Sequence, residues 1–169
     1  MKIGLILCAG RGTRLGLDIP KCMVDVGGKP ILERIANNLE KHGVTKIIVN
    51  LSMYPEMVMK YFGQRFLYLY EPVPMGERVT VDLIKGWFPN TDILAVNGDT
   101  LITNINTNNE EHCGMTNYFA NGIVLKKDGY DFIDIGDTSR LKLANEYYST
   151  NNKRQKRKIL KRIQATYSI

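Results

Sequence analysis

LILCAGRGTRLGLDIPKCMVDV, residues 5–26, sets the reading of the whole chain. It opens as a buried strand, about Ile3 to Cys8, and runs into a loop that holds Gly10, Gly12 and Gly16 among Arg11, Arg14 and Lys21. Glycines let the backbone approach a ligand and turn its N–H groups toward it. Arg14 and Lys21 add fixed positive charge, and the planar guanidinium suits phosphate oxygens. These residues together predict a cradle for a nucleoside triphosphate. The competing reading is an ordinary strand-to-helix connection with solvated basic residues.

Composition bounds the rest. A chain of 169 residues makes one domain with a real core. Its 44% hydrophobic and 24% charged residues are those of a soluble globular protein. No run approaches the ~18 apolar residues of a membrane span. Met1-Lys2-Ile3 leads straight into the first strand, so no signal peptide is expected. Cys8, Cys22 and Cys113 have no metal-ligand spacing, and Cys8 reads as a small core residue; a reducing cytoplasm fits. The net charge of +6 is unevenly placed. Residues 151–169 carry seven Lys and Arg and no acid, which leaves residues 1–150 at −1. The expected organisation is therefore a domain over 1–150 and a basic, helical C-terminal tail over 151–169. A near-neutral body argues against nucleic-acid binding by the main domain.

Along the chain, strands and helices alternate. Pro30 opens a helix with Ile31, Leu32, Ile35, Ala36 and Leu39 at helical spacing, and Gly43 stops it. Lys46 to Leu51 reads as strand two, Pro55 to Gly63 as a helix, and Phe66 to Tyr70 as strand three. A helix from about Glu77 to Lys85 precedes strand four, Asp92 to Asn97. Helices of this length between strands imply right-handed crossovers and a mostly parallel sheet, so the class is α/β. Ligands of such sheets lie across the carboxyl ends of the strands. The glycine loop, Glu71-Pro72-Val73-Pro74-Met75-Gly76 and Asn97-Gly98-Asp99-Thr100 should share one rim. Asp99 is then a hard oxygen ligand placed where a triphosphate needs Mg²⁺, or else it caps the next turn.

The motifs LCAGRGTRLG, PKCMVDVGGKPILERI, EPVPMG and VNGDT, in this order, resemble the sugar-1-phosphate nucleotidylyltransferase family. The later segment DFIDIGDTSRLKLANEYY, Asp131 to Tyr148, resembles the element that opens the family's C-terminal helix. The resemblance implies a Rossmann-like three-layer sandwich with a mostly parallel central sheet. It implies Mg²⁺ held by Asp99 and Asp134, with Arg14 and Lys21 as the basic pair on the phosphates. Leu7, Ala9, Gly10 and Gly12 would meet the nucleotide, and Glu71, Pro72 and Gly76 would line the base pocket. Asn121, in what resembles a strand that touches the sugar, is a further substrate candidate. The implied reaction moves a nucleoside monophosphate from an NTP to a sugar 1-phosphate or similar small phosphate and releases pyrophosphate. The different-class alternative is a non-catalytic nucleotide-binding or regulatory subunit.

Departures from that family are plain. Asp99 and Asp134 lie 35 residues apart, far closer than in typical members, and Glu77 stands where many relatives have Thr. A reduced enzyme with a small acceptor, an enzyme completed by a partner, or a degenerate binder would all follow; the first is preferred.

Other readings are weaker. A dinucleotide oxidoreductase needs an acid at the end of strand two, and Asn50, Leu51, Ser52 and Met53 offer none. No phosphate-binding G-x-x-x-x-G-K-[ST] loop occurs, and His42 and His112 read as solvated. Trp87-Phe88 reads as packing between the third helix and the sheet. In the tail, Ile159, Leu160 and Ile163 return at helical spacing behind a basic stretch. That pattern fits a packed terminal helix with a solvated face, contact with an anionic surface, or contact with another subunit, and leaves room for a homo-oligomer.

Overall fold

A computed structural model describes residues 2–10, 15–102 and 132–166. Four strands form the central sheet: β1 (Lys2–Leu7), β2 (Lys46–Leu51), β3 (Leu67–Tyr70) and β4 (Asp92–Asn97), in the order β3-β2-β1-β4. All three pairings are parallel. The crossovers that parallel pairing requires are α1 (Ile31–Lys41), α2 (Pro55–Phe62) and α3 (Glu77–Trp87). Beyond β4 come β5 (Thr100–Ile102) and β6 (Phe132–Asp134), an antiparallel pair, then α4 (Thr138–Ser149) and α5 (Lys153–Ala165).

Alternation along each strand separates two cores. Ile3 and Leu5 of β1, Ile48 of β2, and Ile93 and Ala95 of β4 meet Val81 and Ile84 of α3. Ile6, Val49, Leu51, Leu94 and Val96 point the other way, toward α1, α2, α4 and α5. With helices on both faces, every central strand is covered, and the strands read as nearly continuous apolar runs. The architecture is the expected α/β one, a mostly parallel sheet between helical layers.

Local chemistry places the helix ends. α1 buries Ile31, Leu32, Ile35, Ala36 and Leu39 on one side. It stops at Gly43, where Val44 N donates to Leu39 O (3.2 Å) and Gly43 N to Glu40 O (3.1 Å). Pro30 sits one residue before the first helical turn. α5 turns Ile159, Leu160 and Ile163 into the larger core, and its cations face outward except the half-buried Lys156.

The register sets the rim. Leu7 lies opposite Asn50 on one side and Asn97 on the other, and Leu51 lies opposite Tyr70. Cys8, Ser52, Glu71 and Gly98 therefore emerge side by side at the carboxyl edge.

Candidate functional site

The segment after the glycine loop supplies a cation. Pro20 leads into a short 3-10 turn, Lys21–Met23, which buries Cys22 and leaves the Lys21 side chain 14% exposed. Lys21 Nζ lies 2.5 Å from Asp99 Oδ2. Asp99 follows Gly98, whose N–H donates to Leu7 O (2.9 Å). A Cβ on Gly98 would fall 2.4 Å from Cys8 Sγ and 2.9 Å from Leu7 O, so only glycine lets β4 turn this close to β1. Thr100 Oγ1 donates to the other Asp99 oxygen at 2.9 Å, and the two partners fix the carboxylate.

β6 delivers the second carboxylate. Asp134 pairs with Thr100 across the β5–β6 ladder, and Ile135 N donates to Asp99 O (3.0 Å). Burial and then the Asp99 carboxylate push the Asp134 carboxyl above its ordinary range, while Lys21, the Gly136 N–H and Arg140 oppose the rise. Arg140 Nη1 lies 3.2 Å from Asp134 Oδ2, and its Nε 3.3 Å from Asp137 Oδ2. Asp137 caps α4 by accepting from Arg140 N (2.9 Å) and Ser139 Oγ (2.6 Å), and these bonds, the Ser139 one foremost, hold its carboxyl below the usual range. Lys21, Asp99, Asp134 and Arg140 thus form one cluster, in which two neighbouring carboxylates are flanked by two cations.

Glu71 sits differently from a rim residue. It is 2% exposed, and its carboxyl oxygens accept from Asn50 Nδ2 (3.0 Å), Thr80 Oγ1 (2.7 Å) and Met75 N (3.0 Å). Asn50 Oδ1 in turn accepts from Cys8 N at 2.6 Å. A buried carboxylate needs such donors, and these knit β1, β2, the 71–76 turn and α3 together. Pro72 and Gly76 stand exposed on that turn, and Gly76 precedes α3. Leu7 is half-buried at the end of β1, Ala9 is buried and Gly10 exposed. Gly12, Arg14 and Asn121 lie outside the described residues.

The Cys8 thiol is pushed well up by burial, with the neighbouring Cys22 thiol and Asp99 adding to the rise, which makes it an inert packing group. Sequence reasoning missed Asn50, Thr80, Thr100 and Arg140. Asn50 carried a signal: one amide inside the apolar strand KIIVNL demands a partner.

Asp99 and Asp134 carry hard oxygen donors of the kind a divalent ion takes together with water and phosphate. The Asp99 carboxylate disfavours charge on Asp134, and a bound cation would relieve that. Among the described residues no three His, Cys, Asp or Glu side chains gather into a metal cluster. No described helix is long and apolar enough to cross a membrane.

Comparison with known proteins gives the same direction. Residues 4–84 match the MobA-like NTP transferase domain. A D-glycero-alpha-D-manno-heptose 1-phosphate guanylyltransferase from Campylobacter jejuni is 36% identical over 105 residues, 57% of this chain and 47% of that enzyme. HddC from Yersinia pseudotuberculosis, solved in complex with GMP-PN, is 32% identical with a TM-score of 0.54, over 60% of this chain and 49% of that one. Another HddC structure covers 88% of this chain and 100% of its own at TM-score 0.66 and 20% identity, a likeness of fold. The chain spans about half the length of the Campylobacter enzyme. Over residues 4–84 the chain is similar to the MobA-like NTP transferase domain, and its sheet has the Rossmann-like fold of the solved structures it resembles.

Proposed function

We propose that the chain is a Mg²⁺-dependent nucleotidyltransferase that moves a nucleoside monophosphate from an NTP to a sugar 1-phosphate or similar small phosphate. The observation that carries this is the convergence of Lys21, Asp99 and Asp134 at the carboxyl rim of a parallel sheet. The acceptor is a phosphate monoester, ionised near neutrality, so no general base is required. The obstacle is the approach of one anion to another, which calls for neutralisation and in-line positioning. Lys21 leaves Asp99 for the α-phosphate when nucleotide arrives, and Arg14 holds the departing pyrophosphate. Leu7, Ala9, Gly10 and Gly12 meet the nucleotide along its backbone, and Pro72 and Gly76 border the base. Glu71 acts there by holding the 71–76 turn in place, and Asn121 is the sugar contact. Asp99 and Asp134 would hold Mg²⁺, which would supply Lewis-acid stabilisation of the phosphoryl oxygens. The names of the relatives support a sugar 1-phosphate acceptor, and the reaction belongs in the cytoplasm.

Pyrophosphate release from purified protein, across ATP, GTP, CTP and UTP with a panel of sugar 1-phosphates, tests the reading. Lys21→Ala and Asp99→Asn are each expected to abolish release in a protein that stays folded, with a loss on the order of 2.7–4 kcal/mol of transition-state stabilisation. Nucleotide-dependent thermal stabilisation without any pyrophosphate would instead make the chain a nucleotide-binding subunit.

A further inference from the structure

A cavity of about 230 Å³ lies between the C-terminal half of α1, the start of β5, α4 and α5. Arg34, Lys41 and Lys156 line it, with the amides of Asn37 and Asn38. None of its described lining residues is Asp or Glu. Two of the three cations come from the near-neutral body and Lys156 from the basic C-terminal segment, and together they make the described wall of the hollow positive. Arg34 gives its Nε and Nη2 to the carbonyls of Val26 (2.5 Å) and Gly27 (2.6 Å) and stacks over the Tyr148 ring at 3.9 Å. Carbonyls and a ring do not neutralise a guanidinium, so its charge stays in the wall. Lys156 projects across the Tyr147 ring, 4.8 Å from its centroid. Burial holds the Tyr148 hydroxyl up to about 12, so it is a neutral donor and acceptor there.

We propose that this cavity binds a small phosphate monoester, at a site separate from the triphosphate cradle. A dianion matches three cations, the amides suit hydroxyl groups, and the aromatic wall suits the flat face of a sugar ring. The hollow is smaller than the ~300–1,000 Å³ of sites for drug-sized ligands, which admits a phosphorylated sugar and excludes a nucleoside triphosphate. Its position links it to the charge cluster. Thr100 forms part of its lining and bonds Asp99, and Arg34 grips the turn that follows Lys21.

The test is calorimetric titration with inorganic phosphate and with glucose 1-phosphate, without nucleotide or Mg²⁺, so that it does not depend on catalysis. Wild-type protein is expected to bind, and Lys41→Gln and Lys156→Gln each to weaken binding about tenfold. Lys21→Ala and Lys161→Gln, the latter on the outer side of α5, should leave it unchanged. Amide NMR shifts on adding glucose 1-phosphate to wild-type protein supply a check independent of any variant, and they should concentrate on residues 34–41 and 147–156. Loss of binding in Lys21→Ala, equal weakening by Lys161→Gln, shifts centred on the glycine loop, or no binding of either probe at millimolar concentration overturns the proposal.

Discussion

Asp134 is the residue at which structure and proposed chemistry pull in opposite directions. Its carboxyl is raised by burial and by Asp99, so the folded chain holds that proton more tightly than the unfolded chain does. With more protons bound in the native state, stability from this group falls as pH rises through the carboxylate range, and its charge is a net cost at pH 7. Asp134→Asn should therefore raise the melting temperature at pH 7, by a margin that shrinks as the pH drops below the ordinary carboxylate range. It should also remove any shift that Mg²⁺ and nucleotide produce. A melting temperature lowered at pH 7 would count against this account of the cluster. Asn50 makes the opposite case. Asn50→Leu strips a partner from Cys8 N–H and from Glu71, at about 1–3 kcal/mol for each group left wanting. Urea unfolding should show a loss of about 2–6 kcal/mol with an unchanged slope. Asp99 was legible in the sequence because an acid leaves an apolar strand there. The Asn50–Glu71 pair was not, because its partners stand 21 residues apart and meet only when β2 and β3 are in register.

At the scale of elements, the turn Gly27-Gly28 is more than a connection. Gly27 N donates to Asn145 Oδ1 (2.7 Å), and Arg34 holds the Gly27 carbonyl while it lies over Tyr148. The turn is a seat for α4, and α4 carries the Asp137 cap that engages Arg140 beside Asp134. Both glycines have positive φ, +61° and +83°. A Cβ at Gly27 would fall 2.5 Å from Tyr148 Cβ, whereas one at Gly28 meets nothing within 4 Å. Gly28→Ala should then cost only the left-handed backbone penalty, about 1–2 kcal/mol. Gly27→Ala adds displacement of α4 and should cost clearly more, with a disturbed Tyr148 signal in near-ultraviolet circular dichroism. Equal costs would remove the seating role. The sequence showed a turn here, since a glycine pair after an apolar run breaks regular structure. It did not show what sits on the turn, because the contact joins residues 118 apart.

For the whole molecule, the basic C-terminal segment decides where the domain ends. Read from the sequence, residues 151–169 divide by charge from the rest of the chain, and charge is a property of surfaces. The structure adds which side of the helix is inside: Ile159 and Ile163 are almost wholly buried, and Leu160 nearly so, in the same core as α1 and β6. The parallel sheet was readable from alternating strands and helices because that pattern is local. Docking of α5 was one of three readings, since a helical apolar stripe says that something covers it without saying what. Burying three aliphatic side chains contributes about 1.5–3 kcal/mol each, or about 5–9 kcal/mol together, against a total stability of about 5–15 kcal/mol for an ordinary domain. A chain ended after Ser149 is therefore expected to lose most or all of its cooperative melting transition. Charge reversal on the outer side, Arg157→Glu with Lys161→Glu, should leave that transition within about 0.5 kcal/mol of wild type, because exposed substitutions away from specific features rarely do more. If the truncated chain melts as sharply and as high as the full one, α5 is an appendage, and its apolar stripe is available to another subunit.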